Sequence, residues 1–166
     1  MFIRRGNSKS FTEKIMREKP SAVAVIKGSP KYPDISGTVS FYSAVKGVLV
    51  VADINGLPYN EGKCKSKVFG FHIHEGGRCS GNAQQPFKDA GEHFNPYNCH
   101  HPRHAGDLPP LFGNNGYAWG AFLTDRFSVE MVMGRTVIIH SNPDDFTSQP
   151  SGNAGEMMAC GVIKQY

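Results

Sequence analysis

Apolar and polar residues alternate with a period of two through much of this chain, which is the pattern of half-buried β-strands. The first alternating run follows Ser21 and places Ala22, Ala24 and Ile26 on one face. Clusters of Gly, Pro, Asn and Asp separate successive runs at hairpin spacing. Further strands are predicted at 38–42, 48–54, 67–74, 117–123, 127–132, 135–141 and 157–164. About eight strands with irregular connections indicate a β-sandwich or a flattened barrel.

Two segments depart from this alternation. Residues 1–20 are polar and of mixed charge, and we interpret them as an N-terminal extension, either disordered or forming one short helix at 10–18. Residues 75–116 alternate little and contain five prolines, which predicts one long loop region. Loops of this length are usually functional or disordered. Residues 21–166 are therefore expected to form a single domain around this loop.

Composition and charge narrow the function classes. The 166 residues include 19 Gly and 11 Pro, which fits a loop-rich all-β domain. The net charge is only +4, and the basic residues are not interleaved with aromatic ones, which argues against nucleic-acid binding. No apolar run reaches the length of about 18 residues that a membrane-spanning helix needs. Without a visible signal peptide we expect a cytoplasmic protein, or a periplasmic or extracellular one if a leader has been removed.

Histidine spacing gives the chemical clue. His72 and His74 share one face of a predicted strand, whereas Phe71 and Ile73 share the other. Two imidazoles on one face can hold a metal ion while the apolar residues between them enter the core. More residues of ligand type follow in order: His93, His101, His104, Asp107 and His140. This arrangement predicts a site for two metal ions.

These motifs resemble those of the copper,zinc superoxide dismutases. The matching stretches are GFHIHEGG (70–77), GEHFNP (91–96), HAGDL (104–108), GRTVIIHSNPDD (134–145) and GNAGEMMACGVI (152–163). The resemblance extends from about residue 21 to the C-terminus. It implies an immunoglobulin-like, eight-stranded Greek-key β-barrel with a long zinc-binding loop and a short channel loop.

The resemblance also implies which residues hold the metals. Copper would be bound by His72, His74, His93 and His140. Zinc would be bound by His93, His101, His104 and Asp107. His93 would bridge both ions as an imidazolate, Asp144 would hydrogen-bond His72 and His101, and His100 is expected to face solvent. Four nitrogen ligands suit Cu(II), and three nitrogens with one carboxylate suit zinc.

The implied activity is the dismutation of superoxide to dioxygen and hydrogen peroxide, with His93 and His140 as catalytic residues. Copper cycling between Cu(2+) and Cu(+) would supply the redox chemistry, and Zn(2+) would be structural. Superoxide is the expected substrate, and the family suggests a homodimer and a copper chaperone as partners. A copper-handling or metal-buffering protein on the same fold, with little turnover, is the alternative.

The four cysteines divide into two pairs. By resemblance, Cys79 and Cys160 form an intrasubunit disulfide. Cys64 and Cys99 have no family counterpart. They are expected to be free thiols, with a second disulfide between them or a contact from the Cys99 thiolate to metal as the alternatives.

One position departs from the family pattern. Met157 stands where an arginine usually lies beside the copper, and a thioether cannot attract an anion. Glu156 would add a negative charge if it faced the channel, whereas Arg78 or Lys88 could compensate from the long loop. One charge at the channel mouth contributes about 1–4 kcal/mol of Coulomb energy, so we predict reduced steering and turnover lower by about one to two orders of magnitude.

Overall fold

The computed structural model describes residues 17–63 and 67–166. The predicted helix at 10–18 therefore lies almost wholly outside the described residues, and Cys64 lies outside them as well. No helix in these two ranges is long and apolar enough to span a bilayer.

The regular secondary structure of the described chain is almost entirely β, as predicted. The strands are β1 (Ala22–Gly28), β2 (Ser36–Ala44), β3 (Gly47–Asn55), β4 (Val68–Phe69), β5 (Phe71–His74), β6 (Leu111–Phe112), β7 (Ala118–Thr124), β8 (Thr136–His140) and β9 (Met157–Gln165). One short helix, α1 (Val129–Val132), and a 3-10 helix (Lys88–Ala90) complete the described elements.

The main sheet is antiparallel and curled. Seven antiparallel strands lie in the order β5-β8-β9-β1-β2-β3-β7, and β4 pairs with β6 in a small second sheet. Neighbours such as β9 and β1, or β3 and β7, are far apart in sequence, which is the Greek-key feature. Because β8 lies between β5 and β9, the chain segments that carry His72 and His140 are adjacent.

The core follows the alternation of the sequence. Ala22, Ala24 and Ile26 of β1 are buried, and Phe71 and Ile73 of β5 enter the same cluster. The two histidines of β5 point away from that cluster. Strand β5 therefore separates apolar packing on one side from ligand-type side chains on the other.

Three local predictions need correction. Residues 127–132 are not a strand, because Val129 and Val132 are buried at helical spacing in α1 while Glu130 is exposed. The strand at 67–74 is interrupted at Gly70, where a Cβ would lie 2.9 Å from the Ala154 Cβ. Counted as one interrupted strand, β4 and β5 bring the described strands to the expected eight. The long loop region is not free of regular structure, since it contains the 3-10 helix and β6.

Candidate metal centre

Seven ligand-type side chains converge beside β5. They form two groups of four, and within each group the ligand atoms all lie within 4.8 Å of one another. The first group contains His72, His74, His93 and His140; the second contains His93, His101, His104 and Asp107. Every member is at most 7 % exposed. His93 belongs to both groups, and the neighbouring His100 is exposed and belongs to neither.

Two kinds of backbone place these side chains. The sheet supplies His72 and His74 from β5 and His140 from the end of β8, where the pairing with β9 is irregular. The long loop region runs alongside β5 and supplies the others. Isolated bridges join His74 to His93 and His72 to Asp107, so this part of the loop extends the sheet locally.

Hydrogen bonds orient the rings of the first group. The His74 Nδ1–H donates to the Gly91 carbonyl at 2.8 Å, and the His140 Nδ1–H donates to the Gly155 carbonyl at 3.3 Å. The Nε2 atoms of these two rings, which then carry lone pairs, lie 3.2 Å apart. Two lone pairs this close in a buried site are favourable when a cation lies between them.

The second group gathers around one carboxylate. Asp107 Oδ1 lies 2.8 Å from His93 Nδ1, and its Oδ2 lies 3.1 Å from His101 Nδ1 and 3.3 Å from His104 Nδ1. The Asp107 Oδ2 also accepts a hydrogen bond from the His104 backbone N–H. This carboxylate is thus within reach of all three imidazoles of its group.

Buried nitrogens without partners show that the residues fit metal ions. Four ring nitrogens are buried and have no hydrogen-bond partner in the described structure: His72 Nδ1, His93 Nε2, His101 Nδ1 and His104 Nδ1. Buried polar atoms are normally paired, so a cluster of unpaired lone pairs requires an explanation. A cation in each group satisfies these atoms together, and imidazole and carboxylate are ligands that copper and zinc accept.

Asp144 connects the two groups. One carboxylate oxygen accepts a hydrogen bond from His72 Nε2 at 2.7 Å, and the other accepts from His101 Nε2 at 2.9 Å. The second oxygen also accepts from the Phe146 N–H. Gly152 has a φ of 67°, and a Cβ there would lie 2.1 Å from that oxygen. Glycine is therefore required at 152 for the channel loop, which joins β8 to β9 (residues 141–156), to close over this carboxylate.

Burial keeps the imidazoles in the neutral form that binds metals. It lowers the pKa of His74 to about 3, and it also lowers the pKa of His72, His104 and His140. Burial opposes ionisation of Asp144, but hydrogen bonds from His72, the Phe146 N–H and His101 outweigh it and hold that carboxyl pKa below its ordinary value. At neutral pH these four rings are therefore neutral, and the Asp144 carboxylate is anionic.

The predicted disulfide is confirmed. Cys79 and Cys160 are joined, and 81 positions of sequence separate them. Cys99 has no disulfide partner among the described residues, its Sγ lies 3.9 Å from the Tyr97 carbonyl oxygen, and it belongs to neither metal group. Cys99 is therefore not among the ligand-type side chains that the described structure brings together.

Met157, at the position where the resemblance places an arginine, has apolar surroundings. Met157 pairs with His140 in the β8–β9 ladder and packs against the cluster of Phe87, Ala90, Ile138 and Cys160. Glu156 points elsewhere, since its carboxylate accepts hydrogen bonds from Lys31 Nζ at 2.6 Å and from the Tyr32 hydroxyl. The negative charge of Glu156 is thus paired with Lys31.

Two residues of the site were missed by the sequence analysis. Arg126 and Gln149 hydrogen-bond to the backbone of the second group rather than to its ligand atoms. No spacing or motif signals such contacts, because every residue has a carbonyl and nearly every residue has an N–H.

Comparison with known proteins agrees with this geometry. A family model described as copper/zinc superoxide dismutase matches residues 35–163. A Cu-Zn superoxide dismutase 2 from Aquifex aeolicus is 35% identical over 146 residues, covering 79% of this chain and 80% of the relative. A Cu-Zn superoxide dismutase from Schizosaccharomyces pombe is 36% identical over 160 residues, covering 86% and 96%.

A solved structure has the same fold. The Cu/Zn superoxide dismutase from Brucella abortus aligns with a TM-score of 0.72 and 26% identity, covering 86% of this chain and 99% of that one. The range matched by the family model, 35–163, includes both ligand groups and the disulfide. The chain is a member of the copper/zinc superoxide dismutase family.

Proposed function

We propose that this protein dismutates superoxide to dioxygen and hydrogen peroxide, with copper held by the first group and zinc by the second. The observation that carries the proposal is His93, whose ring is shared by the two groups. Four imidazole nitrogens suit Cu(II), whereas three imidazoles and one carboxylate suit tetrahedral zinc. When bound, copper supplies one-electron chemistry, and zinc does not change oxidation state.

The residues of the chain orient this chemistry and handle protons. The His93 Nδ1 is held at the Asp107 carboxylate, whereas its Nε2 is buried without a partner in the protein. The Nε2 atom is therefore the position at which His93 can take up a proton and give it to the reduced substrate. His140 and His74 stay fixed by their Nδ1–H bonds to backbone carbonyls.

We further propose that substrate attraction is weaker than in relatives with an arginine at this position. The side chain beside His140 is the uncharged Met157, and the Lys31 ammonium is paired with Glu156. Arg78 and Lys88 are both exposed, and they are the two ends of the segment 78–88, which also contains Cys79. These two are the basic residues of the long loop region that remain candidates for attracting the anion.

Metal content and superoxide decay test the assignment together. Protein loaded with copper and zinc should retain two metal ions per chain and accelerate superoxide decay with a chelator present. His101→Ala should lose the zinc equivalent, whereas His100→Ala, at the exposed neighbouring position, should keep both ions. A loaded protein that retains its metals without accelerating decay would support the copper-handling alternative instead.

A further inference from the structure

Arg126 reaches the loop that carries the second metal group. It follows β7 in the chain and lies outside the ligand set. Its Nη1 is 3.2 Å from the Pro102 carbonyl oxygen, 3.3 Å from that of His104 and 3.1 Å from that of Asp107. The N–H groups of one guanidinium nitrogen are thus shared among three carbonyls. Hydrogen bonds from a charged donor are stronger than neutral ones.

Gln149 holds the backbone of another ligand of that loop, His101, from a different direction. Its Oε1 accepts a hydrogen bond from the His101 N–H at 3.0 Å, and its Nε2 donates to the His101 carbonyl at 2.7 Å. The side-chain amide therefore pairs with the His101 backbone as a neighbouring strand would. Asp144, in the same channel loop, holds the ring of His101 at its Nε2.

These contacts act where the chain has no other regular support. Residues 95–110 contain no helix or strand, and isolated backbone bonds, such as the Asp107 bridge to His72 and the bond from the Asp107 N–H to the His104 carbonyl, fix only part of this segment. A rotation of one of its peptide planes moves the attached Cβ and the ligand atom with it. Fixing the planes lowers the entropy that the loop must lose when it closes around an ion.

We propose that Arg126 and Gln149 are positioning residues of the second, zinc-binding group, which hold the backbone of His101, His104 and Asp107 in the binding geometry. This inference rests on the proposed function for the assignment of zinc to that group. Both residues would help the protein to retain zinc, and neither would contact the ion. Loss of a supporting contact around metal ligands typically weakens metal affinity by about 10–100-fold.

Matched substitutions isolate this role. Arg126→Gln and Gln149→Leu remove the contacts to the backbone carbonyls and N–H. Arg126→Lys keeps a cationic N–H donor and should restore much of the zinc retention. Two control variants make the same changes at exposed positions. Arg103→Gln is matched to Arg126→Gln, and Gln84→Leu is matched to Gln149→Leu. Neither the Arg103 nor the Gln84 side chain has a hydrogen-bond partner within the described ranges.

Zinc transfer and cobalt spectra are the readouts. In the copper- and zinc-loaded protein, Arg126→Gln and Gln149→Leu should each speed zinc transfer to a competing chelator by about 10-fold or more. With Co(II) in place of zinc, the visible absorption of tetrahedral cobalt should weaken or shift in both variants. The Cu(II) electron paramagnetic resonance spectrum and the Cys79–Cys160 disulfide should be retained, which shows that the variants fold.

Three results would overturn the inference. One is a zinc transfer rate equal to that of the unsubstituted protein. Another is an equal acceleration in Arg103→Gln or Gln84→Leu. The third is an unchanged cobalt spectrum with a lower melting temperature of the metal-free protein, which would indicate a purely structural role. Failure of the proposed function would look different: His104→Ala would leave the zinc content of the protein unchanged.

Discussion

At the scale of single residues, we expect Met157 to affect how fast superoxide reaches the first metal group. It lies opposite His140 in the β8–β9 ladder and faces an apolar cluster instead of presenting charge. Under the proposed function, a small anion that approaches the first metal group would meet a thioether here. The Coulomb energy of one charge near a protein surface is about 1–4 kcal/mol, which is enough to alter a rate by more than tenfold.

We predict that Met157→Arg raises kcat/KM for superoxide by about tenfold and makes it fall as salt is added, because added ions screen the new charge. Met133→Arg is the matched control, since Met133 is exposed and precedes β8 at the end away from His140. Superoxide decay measured over a range of ionic strength checks both variants. A rate for Met157→Arg that is unchanged and insensitive to salt would contradict the steering argument.

The buried imidazoles predict a pH dependence of stability. Unfolded histidines take up protons near pH 6.5, whereas burial lowers the pKa of folded His74 to about 3. The unfolded state therefore binds more protons in this interval, and the free energy of unfolding of the metal-free protein should fall as pH falls. The slope is up to about 1.4 kcal/mol per pH unit for each such histidine.

Urea unfolding of the metal-free, disulfide-intact protein at several pH values between 7.5 and 4 measures this slope. His74→Gln should flatten it, and His100→Ala, at an exposed position, should leave it unchanged. A free energy of unfolding that is constant or rises on acidification would refute the assignment of low pKa values to these rings.

The sequence could predict residues that act through their own side chains. His72 and His74 alternate with core residues, and the spacing of the loop histidines follows a known pattern. Arg126 and Gln149 could not be predicted, because they act on backbone atoms of residues far away in sequence. Their contacts depend on how two loops meet, which is a property of the folded chain.

At the scale of elements, the predictions succeeded where the alternating or apolar run was long and failed where it was short. β2 and β3 contain nine residues each. β2 buries Val39 and Phe41 at alternate positions, whereas β3 is an apolar run that is buried continuously at 48–52. Residues 127–132 supply only a few apolar positions, which a strand or a single helical turn can bury equally well. The tertiary position of Val129 and Val132 selects the helix.

The disulfide joins two elements near the first metal group. Cys79 belongs to the long loop region, and Cys160 pairs with Ile138 in the β8–β9 ladder. A crosslink that closes about 80 residues is worth roughly 4–5 kcal/mol in the chain-entropy account. We predict that the Cys79→Ser, Cys160→Ala double variant loses about this much free energy of unfolding in the metal-free state.

Denaturant unfolding with and without a reductant checks the size of this effect. Cys99→Ser is the control, because Cys99 has no disulfide partner among the described residues. The double variant should be insensitive to reductant, whereas the unsubstituted protein should lose stability in its presence. Equal stabilities of the two proteins under oxidising conditions would show that the crosslink contributes little.

At the scale of the whole molecule, metal binding and folding are one equilibrium. The ligands of the second group all lie in the long loop region, outside its short helix and strand, so an unfolded chain has no such site. Zinc at 100 times its dissociation constant should stabilise the fold by about 2.7 kcal/mol. For a chain of this size we therefore expect the melting temperature of the metal-free protein to rise by about 5–10 °C.

Thermal unfolding with increasing zinc measures this rise. His104→Ala removes one ligand of the second group and should abolish most of it, whereas His100→Ala should retain it. A melting temperature of His104→Ala that rises with zinc as much as that of the unsubstituted protein would mean that zinc binds elsewhere.

The Asp144 carboxylate, with one oxygen on His72 and the other on His101, has a thermodynamic consequence. Linkage requires that if an ion bound in one group raises the metal affinity of the other group by some factor, the second ion raises the affinity of the first group by the same factor. Removing the Asp144 carboxylate should therefore weaken the effect of each ion on the affinity for the other, and by the same factor. The order in which ions are supplied then changes how fast the pair assembles but not how firmly the finished pair is held.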